Sequence, residues 1–201
     1  MDTKWDRIQL LMIDVLTIND FLERKTVAEL LTQMRADPGA AASVYGKESN
    51  GAVEVSVRKV TRVSVSAEIH QRVMNVLTAR MSEIATHFGE TVSECEEPQF
   101  LRYQPGDYFI PHQDGNTPLI RDDSRLRKIS LVIFLSRHSE QLETDGYSGG
   151  SLVLHGSYPD YDVRQPVVNK PGTLVAFRAQ TTHEVTPVTS GERFTIVSWY
   201  R

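Results

Sequence analysis

Gln99-Phe100-Leu101-Arg102-Tyr103-Gln104-Pro105-Gly106 is the stretch at which the chain changes character. A short β-prone run is cut by a Pro-Gly turn, and the same sentence is repeated to the end of the chain. Phe100–Tyr103, Ile129–Leu135, Ser151–Leu154, Thr173–Phe177 and Phe194–Trp199 are all short and rich in β-branched or aromatic residues. Pro105-Gly106, Gly149-Gly150, Pro171-Gly172 and Ser190-Gly191 punctuate them. Many short strands separated by Gly/Pro turns predict a β-sandwich or barrel.

Upstream of Gln99 the periodicity mixes. Leu10 to Leu16 is apolar enough for a buried strand. Thr26 and Glu29 have the spacing of a capping box, and Val27, Leu30, Leu31 and Met34 then share one helical face until Asp37-Pro38-Gly39 stops them. Residues 38 to 51 are rich in Gly, Ala and Ser and predict a loop; Val53, Val55 and Val57 alternate with polar residues and predict a strand with one wet face. The clearest helix runs from Ala67 to Phe88, with Ser66 as its cap and Gly89 as its end. Its His70 and His87 read as solvated or satisfied side chains. Since the helices precede the strands, they are expected to pack on the outside of one sheet. The fold class is α+β, mainly β, in one domain: residues 1–98 as a helical and strand support, residues 99–201 as the β core.

Bulk properties exclude several functions. The 201 residues carry 22 Lys+Arg against 26 Asp+Glu, a net charge of -4, and the basic residues form no run, so nothing points to a nucleic acid or an anionic membrane. A single cysteine, Cys95, cannot form an internal disulfide and has no neighbouring His or Asn to make it a nucleophile. The N-terminus has no basic region followed by an apolar run, and no apolar stretch is long enough to span a bilayer. A cytoplasmic protein is expected, as monomer or homodimer.

The chemistry-bearing residues sit among the strands. His112-Gln113-Asp114 puts an imidazole and a carboxylate two residues apart, on one face of a strand. Two histidines and one carboxylate leave three sites of a metal open, the arrangement of non-haem Fe(II) oxygenases. His183, after a short turn from Thr173–Phe177, is the candidate third ligand. Arg193 follows ten residues later. If the segment from His183 lies beside the strand ending at Trp199, Arg193 is near the metal but not on it, where its fork suits a planar carboxylate. Thr195 shares the face of Arg193, and Tyr103 can reach in as a phenol donor.

Leu101-Arg102-Tyr103-Gln104-Pro105-Gly106, His112-Gln113-Asp114, Ser148-Gly149-Gly150, His183-Glu184-Val185 and Arg193-Phe194-Thr195-Ile196-Val197-Ser198-Trp199-Tyr200 together resemble the catalytic domain of the prolyl-4-hydroxylase-like 2-oxoglutarate oxygenases. The resemblance covers about half the chain. It implies a double-stranded β-helix, a cupin-like jelly-roll, with His112, Asp114 and His183 on Fe(II) and Arg193 on the distal carboxylate of 2-oxoglutarate. It implies an O2-dependent hydroxylation of an unactivated C–H bond that releases succinate and CO2, with ascorbate as an auxiliary reductant. Because Asp114 keeps the carboxylate ligand, no vacancy is left for halide, and hydroxylation is favoured over halogenation. Tyr103 matches a position that contacts the co-substrate, and Arg127 one near the substrate entrance. Gly149 and Gly150 read as a turn, and Trp199 as core beneath the site. The sequence departs from the family at Phe134, where some members carry a Tyr that helps bind the carboxylate. Thr195 or Ser130 is the substitute this chain offers.

Substrate is the least legible property. Gly115 to Arg127, with Arg121, Asp122, Asp123, Arg125 and Arg127, and His138 to Ser148, with Glu140, Glu143 and Asp145, are expected at the barrel mouth. Their charge suits a zwitterionic or peptidic substrate. A peptidyl residue and a free amino acid or derived metabolite both remain open, as do two other classes: a cupin-type metal protein without this chemistry, and a non-catalytic iron/2-oxoglutarate sensor.

Overall fold

The computed structural model describes residues 13–42, 57–118, 120–139, 146–158, 161–167 and 170–201. In chain order it contains β1 (Val15–Ile18), α1 (Arg24–Ala36), β2 (Ala40–Ala41), β3 (Arg58–Lys59), β4 (Thr61–Val63), α2 (Ala67–Ala79), α3 (Met81–Phe88), β5 (Gln99–Tyr103), β6 (Tyr108–His112), β7 (Ile129–Phe134) and β8 (Arg137–His138). There follow β9 (Gly146–Gly149), β10 (Leu152–Tyr158), β11 (Tyr161–Pro166), β12 (Leu174–Arg178), β13 (His183–Val185), β14 (Val188–Gly191) and β15 (Arg193–Tyr200). The major sheet has the order β1-β12-β7-β15-β5-β4-β2, and the minor sheet β11-β10-β13-β6-β3. A third, small sheet has the order β14-β9-β8. The two large sheets face each other as the double-stranded β-helix that the resemblance implies.

Alternation along the central strands assigns every side chain to one of two layers. On β7, Ile129, Leu131 and Ile133 point to the helices, and Val132 and Phe134 to the minor sheet. On β15, Phe194, Ile196 and Tyr200 join the helix-facing core, where Leu30, Met34, Val73, Leu77 and Ile84 are also buried. Full burial of each such side chain contributes roughly 1.5–3 kcal/mol. The apolar face of the helices is therefore consumed by one face of the major sheet. The opposite face meets Leu152 and Leu154 of the minor sheet and is free to carry chemistry.

The helical layer differs from expectation in two places. The Thr26–Glu29 capping box does not form. The helix begins at Arg24 after an extended Glu23 with no side-chain cap, which leaves Thr26 in the first turn, buried against the core. Glu29 instead accepts from Arg72 of α2 at 2.8 Å. The expected single helix from Ala67 to Phe88 is two: it breaks at Arg80, whose backbone (φ -97, ψ 1) leaves the helical basin. Arg80 then closes a fork on Glu83 at 2.6 and 2.8 Å in the first turn of α3. Ser66 and Gly89 act as foreseen, the first accepting from the Ile69 amide, the second left-handed at φ 63. His70 meets Glu97 at 3.1 Å and His87 meets Asp14 at 3.3 Å, so both are satisfied.

In the N-terminal segment the strand expected over Leu10 to Leu16 starts only at Val15, with residues 10–12 outside the described residues. Val53 and Val55 also lie outside them, and Val57 is a turn residue before β3. Within the expected loop 38–51, Ala40–Ala41 pairs with β4. Cys95 is buried, and burial pushes its thiol up, as suits an inert side chain.

Candidate active site

The site lies between the two large sheets. His112 ends β6, and Asp114 follows in the turn, not on the strand itself, its amide donating to the Ala179 carbonyl at 2.9 Å. His183 opens β13, directly across the ladder from His112. The neighbours of β13 are β10 and β6, so the expectation that His183 lies beside the strand ending at Trp199 is corrected: β15 is in the opposite sheet. Arg193, on β15, lines the same cavity as the two histidines.

Ligand atoms of His112, Asp114 and His183 lie within 4.8 Å of one another. The His112 Nε2 is 3.6 Å from Asp114 Oδ1, and His183 Nε2 is 3.4 Å from Asp114 Oδ2. The Nδ1 atoms of the two rings are engaged at 2.9 Å with the Ile110 and Thr181 carbonyls, which aims both Nε2 atoms inward. Phe109 stacks on the His112 ring at 3.5 Å, and Phe177 meets His183 edge-on at 4.8 Å. Burial, followed by the nearby His112, pushes His183 down to about 4 against the pull of Asp114, so it is a neutral imidazole with a lone pair to give. Burial works to raise the Asp114 carboxyl, but His183, His112 and the Ser130 hydroxyl together hold it well below the usual range. Two imidazoles and one carboxylate with converging donor atoms fit a divalent cation that keeps open positions.

Arg193 is 1 % exposed. Its Nη1 donates to Thr195 Oγ1 at 3.3 Å, while its Nε has no hydrogen-bond partner among the described residues. The guanidinium lies 4.9 Å from the Tyr103 ring centroid and 5.5 Å from that of Phe134. A buried guanidinium without a carboxylate is costly, and it fits a ligand that brings one. Phe134, the departure from the family pattern, thus supplies a ring face in place of a hydroxyl. At Gly150 (φ +57) a Cβ would stand 3.1 Å from Arg193 Cδ and 2.8 Å from Val188 Cγ2, so this turn must be bare for the arginine stem to pass.

Ser130 and Arg127 take partners that the sequence reading missed. The Ser130 hydroxyl donates to Asp114 Oδ2 at 2.7 Å and is thus engaged with the triad rather than with Arg193. Arg127 forks onto Glu96 at 2.8 and 2.7 Å and lies over the Trp199 indole at 3.6 Å. All three line a cavity of about 560 Å³ that also contains the triad and Arg193. Trp199 is thereby cavity wall as well as core. Glu96 is separated by 31 residues from Arg127, and no local pattern announces it. Arg121 is exposed and outside that lining, whereas Asp122 and Asp123 are within it. Glu140, Glu143 and Asp145 lie outside the described residues. Among the described residues no helix is long and apolar enough to cross a membrane.

The family model of the 2OG-Fe(II) oxygenase superfamily matches residues 98–201. A PKHD-type hydroxylase of Shewanella sp. (strain MR-7) is 26 % identical over 172 residues, covering 85 % of this chain and 72 % of the relative. A prolyl-4-hydroxylase of Pseudomonas putida has a similar structure, with TM-score 0.69 and 21 % identity over 94 % of this chain and 93 % of its own. A prolyl hydroxylase of Trichoplax adhaerens, solved with a hypoxia inducible factor oxygen degradation domain peptide fragment, gives TM-score 0.65 and 18 % identity over 100 % of this chain and 94 % of its own. The chain belongs to the 2OG-Fe(II) oxygenase superfamily, as a 2-oxoglutarate-dependent dioxygenase with the fold of the prolyl hydroxylases.

Proposed function

We propose that this chain hydroxylates an unactivated C–H bond of an amino acid, an amino-acid-derived metabolite or a peptidyl residue, with Fe(II) on His112, Asp114 and His183 and 2-oxoglutarate on Arg193. The observation that carries the proposal is the buried Arg193 guanidinium, with no carboxylate partner among the described residues, in the same cavity as the triad. Iron and 2-oxoglutarate, when bound with O2, supply the oxidising power for C–H hydroxylation and yield succinate and CO2. His183, neutral and aimed by the Thr181 carbonyl, offers its Nε2 to the metal; Asp114, held ionised, offers the charge. Arg193 binds the distal carboxylate through charge-assisted bonds, and Thr195 holds the fork in place. Phe109 stacks on His112 and Phe177 meets His183 edge-on, so apolar rings flank both imidazoles. At the other lining, Trp199, Arg127, Asp122 and Asp123 face the substrate.

The peptide bound by the Trichoplax neighbour supports a peptidyl substrate, whereas the mixed charge of Asp122, Asp123 and Arg127 suits a free zwitterion equally well. Anaerobic titration with Fe(II) and 2-oxoglutarate should give the visible charge-transfer band of the chelate. A screen of proline-containing peptides and free amino acids, in air with ascorbate, should give a product heavier by one oxygen and an equivalent of succinate. Absence of the band in protein that is folded and iron-loaded would refute the proposal, and would leave a cupin-type metal protein as the reading. A band with no succinate under air, with any substrate, would leave the sensor.

A further inference from the structure

We infer that Ser130 is a positioning residue: its hydroxyl fixes the rotation of the Asp114 carboxylate, so that one oxygen is presented to the metal and the other is held back. The inference rests on the reading of His112, Asp114 and His183 as the iron ligands.

Each of the three side chains has one orienting partner. For His112 and His183 it is a backbone carbonyl, two residues upstream in both cases, so the strand itself aims the ring. Asp114 is different. It lies in a turn beyond β6, and its partner is a side chain from the opposite sheet, the Ser130 hydroxyl, 2.7 Å from Oδ2. Ser130 is 1 % exposed and is locked between Phe177 and Trp199 in the β12–β7–β15 ladder, so its position does not depend on the turn it stabilises.

The carboxylate needs such a partner because its terminal torsion is broad and roughly two-fold. Left to itself it can turn so that both oxygens face one cation. A serine hydroxyl has one proton to give. Given to Oδ2, which also faces His183 Nε2 at 3.4 Å, it occupies part of that oxygen's accepting capacity and fixes the rotation that turns Oδ1 to His112 Nε2 at 3.6 Å. One-oxygen ligation by Asp114 preserves the open positions that a chelating co-substrate and O2 need. The same proton cannot also serve the distal carboxylate of 2-oxoglutarate, and Arg193 finds its hydroxyl partner in Thr195, not in Ser130.

The test uses the full chain in its apo form, titrated anaerobically with Co(II) and followed by visible absorption, for wild type, Ser130→Ala, Ser130→Thr and Asp114→Ala. Near-UV circular dichroism of each apo variant checks that the fold is retained. Loss of a partner to a metal ligand typically weakens metal binding about 10- to 100-fold, and that is the loss expected for Ser130→Ala. Ser130→Thr, which keeps the hydroxyl, is expected within a few-fold of wild type. Unchanged Co(II) affinity in Ser130→Ala, or equal losses in Ser130→Ala and Ser130→Thr, would overturn the inference. A fall in 2-oxoglutarate affinity with Co(II) affinity intact would also overturn it and return Ser130 to the co-substrate. Failure of the triad reading looks different: Asp114→Ala would then bind Co(II) as wild type does, whatever Ser130 does.

Discussion

Arg193 and Tyr103 are partners across the ladder between β15 and β5, and the Arg193 guanidinium carbon stands 4.9 Å from the Tyr103 ring centroid. The ring faces of Tyr103 and Phe134 give the buried cation some stabilisation, but neither supplies a counter-charge. Arg193→Met is therefore expected to lower 2-oxoglutarate affinity by roughly 10- to 150-fold, the equivalent of about 1.5–3 kcal/mol for charged hydrogen bonds. The apo protein should melt no lower than wild type, since an unpaired buried charge has been replaced by an apolar chain. Anaerobic titration and thermal melts of the same samples measure both effects. A large drop in apo stability would mean that the arginine has an internal structural role.

Metal should stabilise the fold through the triad. At a free metal concentration 100-fold above Kd, a site formed only in the native state adds about 2.7 kcal/mol. Wild type is expected to show a matching rise in melting temperature with Co(II) or Fe(II) under anaerobic conditions, and Asp114→Ala none. An equal rise in the variant would place the metal elsewhere.

Glu96 holds Arg127 over Trp199, with both members of the ion pair 18 % exposed. Glu96→Gln should cost on the order of 1 kcal/mol or less, as a part-exposed pair does. It should also leave the indole more accessible. The chain has two tryptophans, so in a Trp5→Phe background the fluorescence reports Trp199 alone. Acrylamide quenching should rise in Glu96→Gln while 2-oxoglutarate affinity stays at the wild-type value. Unchanged quenching would show that the stack does not need the carboxylate.

The Tyr200 hydroxyl donates to the Leu77 carbonyl at 2.6 Å and ties β15 to α2. Burial raises its phenol from the ordinary 10.0. A raised folded-state value means that the stabilisation is complete below pH 10 and fades as pH climbs beyond it. Tyr200→Phe is expected to cost about 1 kcal/mol at neutral pH. The difference between the two proteins should shrink above pH 10. A constant difference in denaturant midpoints from pH 8 to 11 would contradict this.

The β core was readable because each strand carries its own evidence: apolar or β-branched residues, then a Gly or Pro turn, as in Gln99–Gly106. That His112, Asp114 and His183 converge, with Arg193 in the same cavity, was an expectation drawn from their order along the chain, which resembles that of a known family. What was missed depends on partners distant in sequence. Nothing in Thr78-Ala79-Arg80-Met81 breaks a helix, with no Pro or Gly, so the apolar period passes smoothly over a joint that packing imposes. Thr26 and Glu29 have the right spacing for a cap, yet the core takes the threonine and Arg72 takes the glutamate. The placing of β13 beside β6 and β10 follows from pairings between strands far apart, which local pattern does not encode. The Ser130–Asp114 and Glu96–Arg127 contacts are of the same kind.

β15 sends Arg193, Thr195, Val197 and Trp199 toward the cavity and Phe194, Ile196 and Tyr200 toward the helices, with Ser198 bonded to the Glu96 carbonyl on that second face. Side chains alternate with a period of two, so a shift of a single residue exchanges the two sets. The guanidinium would enter the helix-facing core, and a phenylalanine would take its position in the cavity. This strand can accept substitutions of like size one at a time. An insertion or deletion of one residue within it would destroy catalysis and core together, so length variation among functional descendants of this chain is confined to the turns at its ends.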